Sequence, residues 1–211
     1  MNLTTILIRL GIVVLALGAW HWTQILIARK STPRHGLGDL VHDLTARWHG
    51  WLSQNDRAAN RLLIVSSFFI DVLALSVIAL AVFGGSFAPF IALLILFGLR
   101  QLSQAICTLP PPPGMIWRHP GSPSLLVTYE VGNDFFFSGH TAMAVLGALE
   151  LAHVGPLWLG MAVAVIAVGE MATVLVLRAH YTLDVIAGAA VAFFAYHIAG
   201  NVSPAIDAWL H

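Results

Sequence analysis

Along the chain, long apolar stretches alternate with short polar breaks and two longer polar connections. Six stretches stand out, at about 3–27, 62–83, 88–109, 139–155, 157–177 and 181–200. A membrane-spanning helix takes roughly 20 mostly apolar residues, so each stretch predicts a span. The fourth is short and opens on polar residues, which starts it at a membrane surface. Gly84-Gly85-Ser86 and Gly155-Pro156 are the turns that separate neighbouring spans. The first stretch carries Arg9. It is too long for a cleaved leader and no small-residue cleavage pattern follows it, so it reads as a span.

The connection 28–61 is amphipathic. Leu37, Leu40, Leu44, Trp48, Trp51 and Leu52 recur at helical spacing, which predicts one helix lying in the interface between spans 1 and 2. His35, His42 and His49 fall seven apart on it. Seven helical residues rise roughly 10 Å, too far to share a metal ion, so they read as a stripe facing solvent or headgroups. The connection 110–137 opens with Pro110-Pro111-Pro112-Pro113-Gly114, which ends the third helix in a stiff extended segment.

Composition agrees with this pattern. Of 211 residues, 58% are hydrophobic and 9% charged, against about a quarter charged in an ordinary soluble domain. The expectation is an all-α integral membrane protein, a bundle of six transmembrane helices forming one embedded domain over 1–211. With a single cysteine, Cys107, neither a disulfide framework nor a cysteine-built metal site is possible within the chain. Net charge is zero, and nothing points to nucleic acid.

Six alternating spans bring 100–114, 130–141 and 178–184 to one face, here face A. These stretches hold Arg100, then Asp134, Ser138, Gly139 and His140, then Arg178, His180, Tyr181 and Asp184. His180 and Asp184 share a helix face at i, i+4. A carboxylate there can hold one imidazole nitrogen and leave the other free to attack. His140 opens a helix, where backbone N–H groups suit an anion, Ser138 adds a hydroxyl, and Arg100 suits a phosphate oxygen. The set fits phosphoryl transfer through a phosphohistidine. Zinc is the rival use of two His and an Asp, but no familiar zinc spacing is present, and neither metal nor cofactor is expected. Asp71, Glu150 and Glu170 lie within spans and read as bonded structural groups or cavity lining. Trp20, Trp22, Trp117 and Trp158 read as belt residues.

Ser138-Gly139-His140 and His180-Tyr181-Thr182-Leu183-Asp184-Val185 resemble the second and third motifs of the type 2 phosphatidic acid phosphatase superfamily. The closer resemblance is to its sphingomyelin synthase branch, through Asp134 four residues before Ser138, and through Arg100 ten residues before Pro110 with Pro113-Gly114 following. It spans residues 100–200. The phosphatases' Arg six residues before the third-motif His is here Val174, and the chain's one Lys is Lys30. A site with fewer cations suits a phosphodiester better than a monoester.

The resemblance implies a lipid phosphotransferase with a His140-His180-Asp184 triad. Its partners would be a phospholipid donor and a lipid or water acceptor. In the alternative reading it is a lipid phosphate phosphatase or phospholipase C-type hydrolase. A multi-pass protein of this kind belongs in the cytoplasmic membrane if the source is bacterial. All Lys and Arg but Arg9 fall on face A, which places that face inside; the resemblance implies the outer or luminal leaflet. The acyl chains call for a lateral opening with apolar walls and a polar chamber at face A, with Trp48 and Trp51 at its rim.

Overall fold

The computed structural model describes residues 3–29, 37–121, 123–129 and 135–210. Asp134, Lys30, Arg34 and His35 lie outside the described residues. The described chain is helical, with α1 (Leu3–Ala28), α2 (Leu40–Leu44), α3 (Ala46–Gln54), α4 (Asp56–Phe83), α5 (Ala88–Ile106), α6 (Gly139–Val154), α7 (Leu157–Val176) and α8 (Thr182–Leu210). Among the described residues there is no strand.

Among the described residues, five helices are long and apolar enough to cross a membrane: α1, α4, α5, α7 and α8. The fourth predicted span is the helix α6, but it has 16 residues, about 24 Å, and falls short of that length. Five of the six expected spans therefore meet the length and composition of a membrane-crossing helix, and α6 does not. α8 runs past the end of the sixth stretch, through Pro204 to Leu210. Its polar Asn201, Ser203 and Asp207 hid that extension from a hydropathy reading.

α6 is the packed centre, against α4, α7 and α8, while α1 rests on α4 and α5. Small residues permit the close approaches. A Cβ on Gly147 would stand 2.9 Å from Leu73 Cβ of α4, and one on Gly188 of α8 would stand 2.7 Å from the Ser138 carbonyl oxygen. Leu73, Val77, Leu96 and Leu146 form the buried core between them. Arg9 is buried at face B, paired at 3.2 Å with Asp207 and donating to the Gly84 carbonyl. This explains a cation inside the first apolar stretch: it ties α1 to the α4–α5 turn and to α8.

The expected single amphipathic helix is two short ones, α2 and α3, meeting at Thr45. Asp39 caps α2 through the N–H groups of Val41 and His42. Leu40, Leu44, Trp48 and Trp51 are exposed, whereas His42, His49 and Leu52 are buried. The histidines therefore do not form a solvent-facing stripe. His42 Nε2 donates to the His180 carbonyl at 2.9 Å, and His49 Nδ1 donates to the Val176 carbonyl at 2.9 Å. The Val176 carbonyl is left without an intrahelical partner because α7 ends there, and the His180 carbonyl lies in the turn before α8.

Candidate active site

The turn from α7 to α8 carries His180. Arg178 N–H bonds the Leu175 carbonyl and Ala179 N–H the Val174 carbonyl, which is a Schellman end to α7. Its left-handed position, usually glycine, is held by Arg178 at φ 53°. A side chain there is strained, and the Arg178 guanidinium works against that strain by donating to the carbonyls of Pro113 (3.0 Å) and His42 (3.5 Å). Ile116 N–H bonds the Leu177 carbonyl, and Tyr181 Oη accepts from Leu37 N–H and donates to the Pro111 carbonyl. Asp39 accepts from both the N–H and the hydroxyl of Thr182 at the start of α8. Burial works to raise the Asp39 carboxyl, but these bonds and the neighbouring His42 outweigh it and leave it below the usual carboxylate range.

A cavity of about 320 Å³ lies between α1, α4 and α5 and ends against the start of α6. Its walls are largely apolar. Its polar end is formed by Gln24, Arg100, Gln101, His140 and His180, with Gly139 beside them. Ser138 N–H is fastened to the Asp184 carbonyl at 3.1 Å, so the α6 start and the α8 start are locked together. Arg100 donates through Nε to the Phe137 carbonyl at 3.2 Å and through Nη1 to Gln24 Oε1 at 3.4 Å. A Cβ on Gly139 would stand 3.0 Å from Arg100 Nε, so glycine lets the guanidinium lie against the helix start. His140 is edge-on to Trp117 with centroids 5.0 Å apart, and its buried Nε2 has no hydrogen-bond partner among the described residues.

His180 Nδ1 donates to the Phe135 carbonyl at 2.9 Å, which fixes the tautomer with Nε2 unprotonated. Asp184 Oδ2 stands 3.7 Å from that Nδ1 and accepts instead from Tyr181 N–H at 2.9 Å. The expected carboxylate–imidazole bond is thus replaced by a carbonyl–imidazole bond. The buried Asp184 charge remains close by.

The structure brings Arg100, Gly139, His140 and His180 together on the cavity, with Asp184 behind His180. Three expected residues are elsewhere. The Ser138 hydroxyl is the α6 cap, accepting from Thr141 N–H at 3.3 Å. Arg178 and Tyr181 are spent on the clamp just described. Arg118 is exposed and pairs with Asp56 and Asn60. Trp48 and Trp51 are not among the residues lining the cavity; α2 packs on α7, and α3 on the start of α4 and on α7. Trp20 and Trp117, expected at the membrane belt, line the cavity. Gln24 was missed: a glutamine inside an apolar stretch four residues after a Trp was its only signal. Asp71 holds the loop through the N–H groups of Leu125 and Leu126, and Glu170 accepts from Ser66.

Helices long and apolar enough to span a membrane surround a chamber lined by two histidines and an arginine, and the class of the protein, a membrane lipid phosphotransferase, rests on the family match. The sequence model of AtPDCT1/2 matches residues 38–201. The chain belongs to that family, which is one of phosphatidylcholine:diacylglycerol cholinephosphotransferases. This overturns the resemblance to the type 2 phosphatidic acid phosphatase superfamily and its sphingomyelin synthase branch, whose short motifs the chain shares in part. The phosphatase and hydrolase readings that came with it lose their support. No curated protein and no solved structure matches the chain.

Proposed function

We propose that the protein moves the phosphocholine headgroup of a phosphatidylcholine to the free hydroxyl of a diacylglycerol through a phosphohistidine on His180. The observation that carries this reading is the bond from His180 Nδ1 to the Phe135 carbonyl, made at the wall of the chamber that holds His140 and Arg100. It leaves the Nε2 lone pair free to attack phosphorus. As the N–P bond forms, the P–O bond to the glycerol breaks, and His140, protonated once the anionic phosphodiester is bound beside it, gives that proton to the departing oxygen. The diacylglycerol leaves. A second diacylglycerol hydroxyl then attacks phosphorus, its proton passes to His140, and the N–P bond breaks. Arg100 neutralises the phosphate oxygens. The buried Asp184 carboxylate stabilises the positive charge that His180 carries in the intermediate. Family membership supports the donor and acceptor classes. The exposed Leu17 and Leu94 also line the cavity, which supports entry of acyl chains between α1 and α5.

The test uses purified protein in vesicles with headgroup-labelled phosphatidylcholine and a diacylglycerol of different chain length. The expected result is label in phosphatidylcholine that carries the acceptor's chains, with acid-labile label on the protein that His180→Ala abolishes. Label released only in water-soluble form would overturn the reading.

A further inference from the structure

Among the described residues, three buried side-chain polar atoms on the cavity lining have no hydrogen-bond partner: His140 Nε2, Trp20 Nε1 and Gln101 Oε1. The first has a role in the transfer above. The other two do not, and an unmatched buried donor or acceptor is costly enough to need a reason. They come from neighbouring places. Trp20 and Gln24 lie at i, i+4 on α1, and Phe97 and Gln101 at i, i+4 on α5. Trp20 meets Phe97 edge-on at 6.0 Å, and Gln101 Nε2 donates to Gln24 Oε1 at 2.9 Å. That bond sets the amide of Gln101, so its oxygen is the atom left over.

Resting on the transferase reading, we infer that Trp20 and Gln101 form the subsite that recognises the free hydroxyl of the neutral acceptor lipid. The hydroxyl oxygen accepts from the Trp20 indole N–H, and its O–H donates to Gln101 Oε1. A pair of one neutral donor and one neutral acceptor fits a group that is both. It does not fit a phosphate, which accepts only, or a quaternary ammonium, which does neither. The walls beside it, including Val13, Ala16, Leu17 and Leu93, suit a lipid rather than a water. Gln24 Oε1 accepts from both Gln101 and Arg100, so a single side chain spaces the hydroxyl subsite from the guanidinium assigned to phosphate. α1 lies upstream of the matched stretch 38–201, and Trp20 makes it the element that chooses the acceptor.

The experiment measures binding to the purified full chain in detergent, without turnover. A fluorescent diacylglycerol is displaced by 1,2-dioleoylglycerol or by its 3-deoxy analogue, the dioleoyl ester of 1,2-propanediol. Wild type is expected to bind the hydroxylated lipid about tenfold more tightly, the worth of a lost hydrogen-bonding partner in a buried site. Trp20→Phe and Gln101→Leu should each shrink that preference to below about threefold while affinity for the deoxy lipid stays. Trp20→His, which keeps a ring N–H, should recover part of it. No preference in wild type, or a full preference in both variants, would overturn the inference. So would an equal loss for both lipids. Headgroup transfer with the preference untouched in the variants would sink this subsite alone. Absent transfer with the preference behaving as expected would sink the transferase reading alone.

Discussion

Two pairs of histidines meet around one turn, and they are used in opposite ways. His42 and His49 stand outside the cavity, and each places a ring nitrogen on a carbonyl at the end of α7 or the start of α8. His140 and His180 stand on the cavity wall, one with an unmatched Nε2 and the other with Nδ1 held so that Nε2 is left over. All four are buried or nearly so, so burial does not separate them. What separates them is whether a nitrogen remains for a substrate. The outer pair builds the turn, and the inner pair has something left for chemistry.

The strongest way to break the comparison is to remove the inner pair. His180→Ala is expected to lower headgroup transfer by at least about a thousandfold, and His140→Ala by about a hundred- to ten-thousandfold, with helical content by circular dichroism unchanged. A double variant should be little worse than His180→Ala, because the two act in one step. Additive losses would place them in separate roles.

The outer pair should behave differently. His42→Ala leaves the His180 carbonyl without its donor, at a cost of about 1–3 kcal/mol, and lets the turn shift. Turnover should fall by about ten- to a hundredfold, with KM for phosphatidylcholine little changed. His42→Gln keeps a donor and should restore most of the loss. A failure to restore would give the His42 ring a part in chemistry.

His49 sharpens the contrast through pH. Burial, aided by the charges of Arg178 and His42 and opposed by the Val176 bond, lowers its pKa below the ordinary 6.5. The unfolded chain then binds the proton more readily than the folded one. Its contribution to stability is complete above pH about 6.5 and is lost as pH falls through the lower folded value. Thermal unfolding in detergent should reflect this as a fall in Tm on acidification, and His49→Gln should reduce that fall.

The smallest effect concerns Arg178. Arg178→Gly relieves the left-handed backbone while losing two carbonyl contacts, and Arg178→Ala loses the contacts and keeps the strain. Glycine should therefore be more stable than alanine by about 1 kcal/mol, measured by denaturation in mixed micelles. An alanine variant at least as stable as glycine would remove the strain argument.

Much of the bundle follows from apolar stretches bounded by Gly-Gly-Ser, Gly-Pro and the proline run, because those features act locally. The meeting of Arg100, His140 and His180 follows from alternation of the helices, and only approximate boundaries were needed for it. The contacts made by single side chains were not legible. A histidine facing water and one facing a helix-end carbonyl have the same spacing, so His42 and His49 were misread. Arg178 looks like a phosphate ligand by charge, while its place at the end of α7 depends on a backbone angle that no pattern encodes. Short motifs such as Ser-Gly-His served the local geometry of a helix start but misled about family, because the 38–201 match rests on the whole stretch.

The close approach of Gly147 to Leu73 sets a common level for α6 and α4. Counting back seven residues on each puts His140 level with Ser66. α4 begins ten residues earlier, at Asp56, so it rises about 15 Å beyond His140. The intervening layer is packed by Leu52, Ala59, Leu63, Ile116 and Leu177. On the proposed mechanism, a phosphohistidine on His180 would form below the α4 end and this cluster, shielded on that side, while a lipid would arrive sideways between α1 and α5. On that mechanism, water and the acceptor lipid would compete for the headgroup on unequal terms set by architecture: hydrolysis would be slowed by access, and the energy of the phosphoramidate bond would be conserved in a new phosphodiester.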